Sequence, residues 1–110
     1  MVYQYILRKH FNEKKVDLDF TADLNEVLKM LKAKSYALIF LDIPYLFEDV
    51  INLTMKIRSL DAYLTTPIIG MAIMLRPSVT SRMKDVGLCE VVLRPFNPAG
   101  ILSHYLGIQN

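Results

Sequence analysis

The chain has 110 residues, of which 53% are hydrophobic, and its 13 basic and 11 acidic residues leave a formal net charge of +2. This composition predicts one compact domain over residues 1–110, because it supplies a core and argues against disorder. So mild a charge predicts neither a nucleic acid nor an anionic membrane as partner. No apolar run reaches the roughly 20 residues of a membrane-spanning helix. One cysteine and two histidines give no zinc pattern, and we expect a cytoplasmic protein.

The first twenty residues allow two interpretations. Apolar side chains recur at helical intervals over residues 2–11, which favours a helix. The β-branched and aromatic residues of 2–7 would also suit a strand, and we favour the helix. Val16, Leu18 and Phe20 then alternate with polar residues, which predicts a half-exposed strand near a sheet edge.

From residue 23 onward, predicted helices alternate with predicted strands. Asp23 with Glu26 three residues later is a variant of the capping box and predicts a helix start. The run of residues 36–43 lacks alternation and ends at Pro44, as in a strand buried on both faces. The remaining predictions are a helix from about Glu48, a buried strand over 67–73, a helix between Pro77 and Gly87, a short strand over 90–93 and a last helix after Asn97-Pro98.

This alternation predicts an α/β fold with a parallel sheet flanked by helices. Asp42 then lies at the carboxyl end of the central strand. That edge is where open α/β sheets collect ligands.

Three motifs follow one another along the chain. They are Leu41-Asp42 at the end of a strand, Pro67-Ile68-Ile69 at the start of the next, and Arg94-Pro95-Phe96 after the last. Their order and intervals resemble the receiver domain of two-component response regulators, the CheY-like family. The resemblance implies a flavodoxin-like fold and a place in a phosphorelay, in which a histidine kinase phosphorylates an aspartate of the receiver.

The resemblance also assigns site positions, and this chain departs from the family at most of them. Asp42 takes the phosphoacceptor position, and Pro44 supplies the carbonyl that completes a metal shell. Ala72 and Arg94 take the two phosphate-contact positions, where the family has a hydroxyl residue and a lysine. Ala72 has no hydroxyl, and an arginine does not replace a lysine conservatively. Val91 takes the position of the aromatic switch residue.

The largest departure concerns the family's first strand and the acidic pair that follows it. By the family's spacing, both would lie before Met1, and Asp17 and Asp19 are on the wrong strand to replace the pair. Because Mg²⁺ needs several hard oxygen ligands, we expect no metal and no other cofactor. The position of the first strand, between the second and third, must then be filled in another way. Residues 2–7 could enter it as part of a hairpin, a second copy could exchange elements in a homodimer, or the flanking strands could meet directly.

Three functions remain open at this point. The favoured one is a degenerate receiver, or pseudo-receiver, that acts in signal transduction through protein–protein contacts or dimerisation, and not as an enzyme. In it, Asp42 caps the loop after its strand or pairs with Arg94. The alternative is a working phosphoacceptor at Asp42 that recruits acidic ligands from elsewhere, such as Asp49. The third is a binder of a small anionic ligand at Arg94.

The resemblance places the interaction face of a receiver on the last two helices and the last strand. In this sequence that face includes Met83, Val86, Val91, Ile101 and Tyr105. The competing interpretation is that these residues only fill the core.

Overall fold

In the described part of the chain, five strands form a single sheet, and four helices cover its two faces. The computed structural model describes residues 4–9 and 16–107, and it describes side chains from residue 19 onward. The strands are β1 (Gln4–Lys9), β2 (Val16–Thr21), β3 (Leu38–Asp42), β4 (Ile68–Ala72) and β5 (Glu90–Leu93), and the helices are α1 (Leu24–Ala33), α2 (Glu48–Arg58), α3 (Pro77–Asp85) and α4 (Pro98–Leu106). A short 3₁₀ turn at Asp61–Tyr63 precedes β4.

The sheet has the order β2-β1-β3-β4-β5, and β1 is antiparallel to both of its neighbours. Gln4 lies opposite Thr21 of β2 on one side and opposite Leu41 of β3 on the other. The pairs β3–β4 and β4–β5 are parallel. Since β2 and β3 both oppose β1, they run in the same direction. Four strands are therefore parallel, and the second position holds a reversed strand.

The helix predicted over residues 2–11 is wrong for residues 4–9, and residues 2, 3, 10 and 11 lie outside the described part of the chain. The strand interpretation is confirmed for residues 4–7, and the antiparallel pairing of β1 with β2 agrees with the hairpin. The physical reason is that β2 and β3 would otherwise face each other with unpaired backbone groups. A strand between them satisfies both ladders, and a helix could not.

The helices cover the two faces of the sheet unequally. α1, α2 and α3 pack on one face, where Val27, Ile57 and Met83 belong to one apolar cluster. α4 packs on the other face, and its Ile101 lies in a second cluster with residues of β3 and β4. β3 and β4 are buried along nearly their whole length. This confirms the interpretation of their unalternated apolar runs.

The ends of the helices follow from local chemistry. The Asp23 carboxylate accepts a hydrogen bond from the Asn25 amide at 2.9 Å and begins α1. The Asn97 side chain accepts from the Ala99 amide at 3.0 Å and begins α4. Gly107 has a φ of 68°, the left-handed conformation that ends α4. These bounds agree with the sequence predictions.

The guanidinium of Arg58, in the last turn of α2, joins three backbone segments. It donates to the carbonyl oxygens of Tyr63 at 2.8 Å, Thr66 at 2.6 Å and Gly87 at 2.7 Å. Burial lowers the pKa of Arg58 from its usual value. Gly87 has a φ of 126°, and a Cβ there would lie 2.8 Å from Cγ of Arg58. Arg58 therefore fixes the loops that lead into β4 and β5.

We expect Arg58→Lys to lower the free energy of unfolding by about 2–3 kcal/mol, because an ammonium cannot serve three separate carbonyl oxygens as a planar fork does. Urea unfolding measures this loss. The matched control is Arg82→Lys, which changes an exposed ion pair and should cost less than about 1 kcal/mol. Equal losses in the two variants would contradict the role of Arg58.

A pair of glycine substitutions tests the loop that Arg58 holds. Gly87→Ala should destabilise the domain by about 1–3 kcal/mol, because the alanine takes a positive φ and meets the Arg58 side chain. Gly100→Ala lies in α4, where a Cβ has no neighbour within 4 Å. It should stabilise the domain by about 0.5–1 kcal/mol. Thermal unfolding should show a lower melting temperature for Gly87→Ala and a higher one for Gly100→Ala. An unchanged melting temperature in Gly87→Ala would count against this account.

Candidate functional site

The carboxyl ends of β2, β3, β4 and β5 meet at one edge of the sheet, and three predicted site residues lie there together. Asp42 is the last residue of β3, and Ala72 is the last residue of β4. Arg94 follows β5, and its amide donates to the Ala72 carbonyl at 2.8 Å. The structure thus brings Asp42, Ala72 and Arg94 to the same edge. All four helices also begin at this edge, so it collects the positive ends of their dipoles.

Asp42 and Arg94 form an ion pair, as one of the sequence interpretations predicted. Nη2 of Arg94 lies 3.3 Å from Oδ1 of Asp42, and the two side chains are 29% and 14% exposed. The same nitrogen lies 3.8 Å from the sulfur of Met71. Nε of Arg94 is buried and has no hydrogen-bond acceptor among the described residues. The Asp42–Arg94 pair is therefore a single-point contact and lacks the two parallel hydrogen bonds of a fork.

Arg76, the residue before α3, is a site residue that the sequence analysis missed. Its Nη2 donates to the carbonyl oxygen of Pro44 at 3.2 Å and to that of Tyr45 at 3.1 Å. Its guanidinium carbon lies 4.6 Å from the centre of the Tyr45 ring and 5.4 Å from that of Phe47. The Pro44 carbonyl, which the resemblance placed in a metal shell, thus accepts from a cation. No sequence signal identifies these partners, because they depend on how two loops meet.

The direction of β1 determines which groups reach Asp42. Because β1 is reversed, its first residue, Gln4, lies at the edge that carries Asp42, and its carboxyl end lies at the opposite edge. β2 does end at the Asp42 edge, but β1 separates it from β3, which places the two strands roughly 10 Å apart. Asp23, just after β2, caps α1. Among residues 19–107, whose side chains the structure describes, no group of three or more His, Cys, Asp or Glu residues could hold a metal ion. These residues do not fit the Mg²⁺ site of a receiver.

The structure corrects the predicted interaction face. Met83 is fully buried in the core, and Ile101 is 9% exposed and packs beneath α4. The core interpretation is right for these two residues, because each lies on the helix side that meets the sheet. Val86 and Val91 are partly buried against the same core as Met83. Val91, which the resemblance placed at the switch position, is therefore a partly buried residue beside the core.

Tyr105 is the member of the predicted face that keeps a polar role. It is half-buried, and its phenol donates to the Glu90 carboxylate. Burial and this carboxylate raise the pKa of Tyr105 above its usual value.

Comparison with known structures confirms the fold. The chain is similar to the chemotaxis protein CheY4 of Vibrio cholerae, with 23% identity and a TM-score of 0.67 over 80% of this chain and 73% of that one. A two-component response regulator from Clostridium difficile gives 23% identity and a TM-score of 0.65 over 80% and 70% of the two chains. The phosphorylated cyanobacterial phytochrome response regulator RcpA gives 16% identity and a TM-score of 0.66 over 82% and 74%. The chain has the CheY-like receiver fold with an altered first strand.

No protein-family model matches the chain, and no curated protein matches it. None of the helices in the described part of the chain is long and apolar enough to cross a membrane.

We expect a double-mutant cycle of Asp42→Asn and Arg94→Met to give a coupling energy of about 1–2 kcal/mol in urea unfolding. The reason is that Arg94→Met alone leaves a largely buried carboxylate without its cation. The exposed pair of Glu26 and Lys29 serves as control and should couple by less than about 0.5 kcal/mol. An Asp42–Arg94 coupling no larger than that control would show that the site pair is incidental.

Proposed function

We propose that this chain is a pseudo-receiver, a receiver-type domain that acts in two-component-type signalling through protein–protein contacts and without phosphoryl transfer. The observation that carries the proposal is the placement of two guanidinium groups. Arg94 lies on the Asp42 carboxylate, and Arg76 lies on the Pro44 carbonyl. The fold supports the general class, and these contacts support the loss of its chemistry.

The electrostatics of the edge support this proposal. Asp42 faces Arg94, which stays protonated at any ordinary pH and presents a planar guanidinium where the family has the compact ammonium of a lysine. Ala72 offers no hydroxyl hydrogen to the transferred oxygens. Lacking both the metal and the hydroxyl, at about 3 kcal/mol each by analogy with an oxyanion donor, the site would lose roughly 6 kcal/mol, or about four orders of magnitude in rate. Such a site would transfer phosphoryl groups too slowly to signal by them.

The scaffold retains what a binding module needs. The buried strands β3 and β4 give the edge a rigid base, and three loops project from it. The compared proteins include a chemotaxis protein and a two-component response regulator. By analogy we propose protein partners in a cytoplasmic pathway, with a homodimer as one form of contact, and no role for nucleic acid, membrane, Mg²⁺ or enzymatic turnover.

We expect incubation with acetyl phosphate and Mg²⁺ to leave the intact mass of the protein unchanged, because Asp42 is paired and no acidic cluster in the described residues fits the metal. Mass spectrometry of the whole chain checks this. The cyanobacterial phytochrome response regulator RcpA, whose compared structure is the phosphorylated form, is treated in parallel to test whether the reagents work. A mass gain in this chain that Asp42→Asn abolishes would overturn the proposal and favour a working phosphoacceptor at Asp42.

A further inference from the structure

Large apolar side chains are exposed at the edge of the sheet that carries Asp42. Six of the nine strongly exposed large apolar residues in the described part of the chain lie there. We call them the edge patch: Tyr45, Leu46, Ile73, Met74, Leu75 and Leu93. Leu46 is 82% exposed and Ile73 is 84% exposed. Scattered single exposures need no explanation, but a cluster at the edge where this fold class binds ligands does.

The loops that carry the edge patch follow adjacent strands. Tyr45 and Leu46 follow β3, and residues 73–75 follow β4, whose Met71 pairs with Asp42 in the parallel register. Leu93 ends β5 opposite Ala72, the last residue of β4. Arg76 joins the first two loops, since it donates to the Pro44 and Tyr45 carbonyl oxygens from the start of α3.

The edge carries charges of both signs, since the first turn of α2 has Glu48 and Asp49, and the preference for an acidic partner rests on Arg76. Arg94 is paired with Asp42, and Arg82 is paired with Glu48. Arg76 differs from both, because its partners among the described residues are carbonyl oxygens and aromatic rings, without a carboxylate. The first turn of α3 has no acidic residue and no side-chain cap, so the positive end of its dipole adds to the charge of Arg76. A carboxylate beside Arg76 would therefore make a charge-assisted hydrogen bond while the guanidinium keeps its contacts with the Tyr45 and Phe47 rings.

We propose that the edge patch docks a segment of another protein in which an acidic residue lies next to large apolar residues. The apolar side chains would cover Leu46, Ile73 and Leu75, and the carboxylate would pair with Arg76. This partner takes the place of the phosphoryl donor at the same edge. The inference rests on the proposed function, in that it names the surface and the chemistry of the contact.

The test uses a random peptide library displayed on phage and panned against the whole chain. We expect the enriched peptides to carry Asp or Glu next to Leu, Ile, Phe or Met. A synthetic copy of an enriched peptide, titrated by fluorescence anisotropy, should bind about tenfold more weakly to Arg76→Gln. It should also bind more weakly to Leu46→Ser and Ile73→Ser, which remove apolar contact area.

Two matched controls separate the patch from the rest of the surface. Lys84→Gln removes a cation at the other end of α3, and Leu64→Ser removes an exposed apolar residue from the loop before β4. Neither should change the affinity of the peptide. Circular dichroism establishes that each variant is folded. If Arg76→Gln does not fold, Leu46→Ser still tests the patch, because its side chain is almost free of packing contacts.

Several results would overturn the proposal. One is enrichment of no peptide, or of peptides without acidic residues. Another is peptide binding that Arg76→Gln and Leu46→Ser leave unchanged. A third is concentration-dependent dimerisation of the chain that Leu46→Ser abolishes while no peptide is selected, since a second copy would then be the occupant. None of these results depends on whether Asp42 accepts a phosphoryl group, so the docking proposal and the proposed function fail separately.

Discussion

The pairing of β1 between β2 and β3 is the constraint on which the rest of the molecule depends. The facing ladders of β2 and β3 leave backbone groups that must be paired, and any strand between them can satisfy those groups whichever way it runs. The hairpin places β1 there with reversed direction. The hydrogen-bond requirement of the sheet is thus met without a crossover helix between β1 and β2. What the reversal changes is the identity of the residues at each edge.

The reversed direction of β1 changes which charged groups lie beside Asp42. A parallel strand in this position would deliver its carboxyl end beside Asp42, whereas β1 delivers Gln4. The described residues form no acidic cluster at Asp42 that could hold a divalent cation, so another positive group is needed to balance its charge. Arg94 provides that partner from the end of β5, and Arg76 takes the nearby carbonyl oxygens. The carboxylate of Asp42 and the carbonyl of Pro44, which the resemblance assigned to a metal shell, thus each contact an arginine.

Much of the fold could be predicted because the decisive signals are local. The unalternated run before Asp42 and the cap at Asp23 each depend on residues close in sequence, and both predictions hold. The helix predicted over residues 2–11 is wrong for residues 4–9, because the apolar residues there suit both a helix and a strand. Pairing with β2 and β3, which a local pattern does not reveal, selects the strand. The Asp42–Arg94 pair could be anticipated from strand ends that share an edge. Arg58 and Arg76 could not, because their carbonyl acceptors are set by loop geometry.

The same edge combines exposed apolar residues with Arg76, whose partners among the described residues include no carboxylate. A site that binds a phosphoryl donor and a hydrated metal ion must be polar and accessible to solvent, because both ligands are surrounded by water or by oxygen atoms. Exposed residues such as Leu46 and Ile73 would cost free energy there unless another surface covers them. Covering them also lowers the local dielectric constant and strengthens any contact between Arg76 and a carboxylate. Exposed apolar area and Arg76, which has no carboxylate partner among the described residues, would reinforce each other in a complex, and this supports the proposed docking surface.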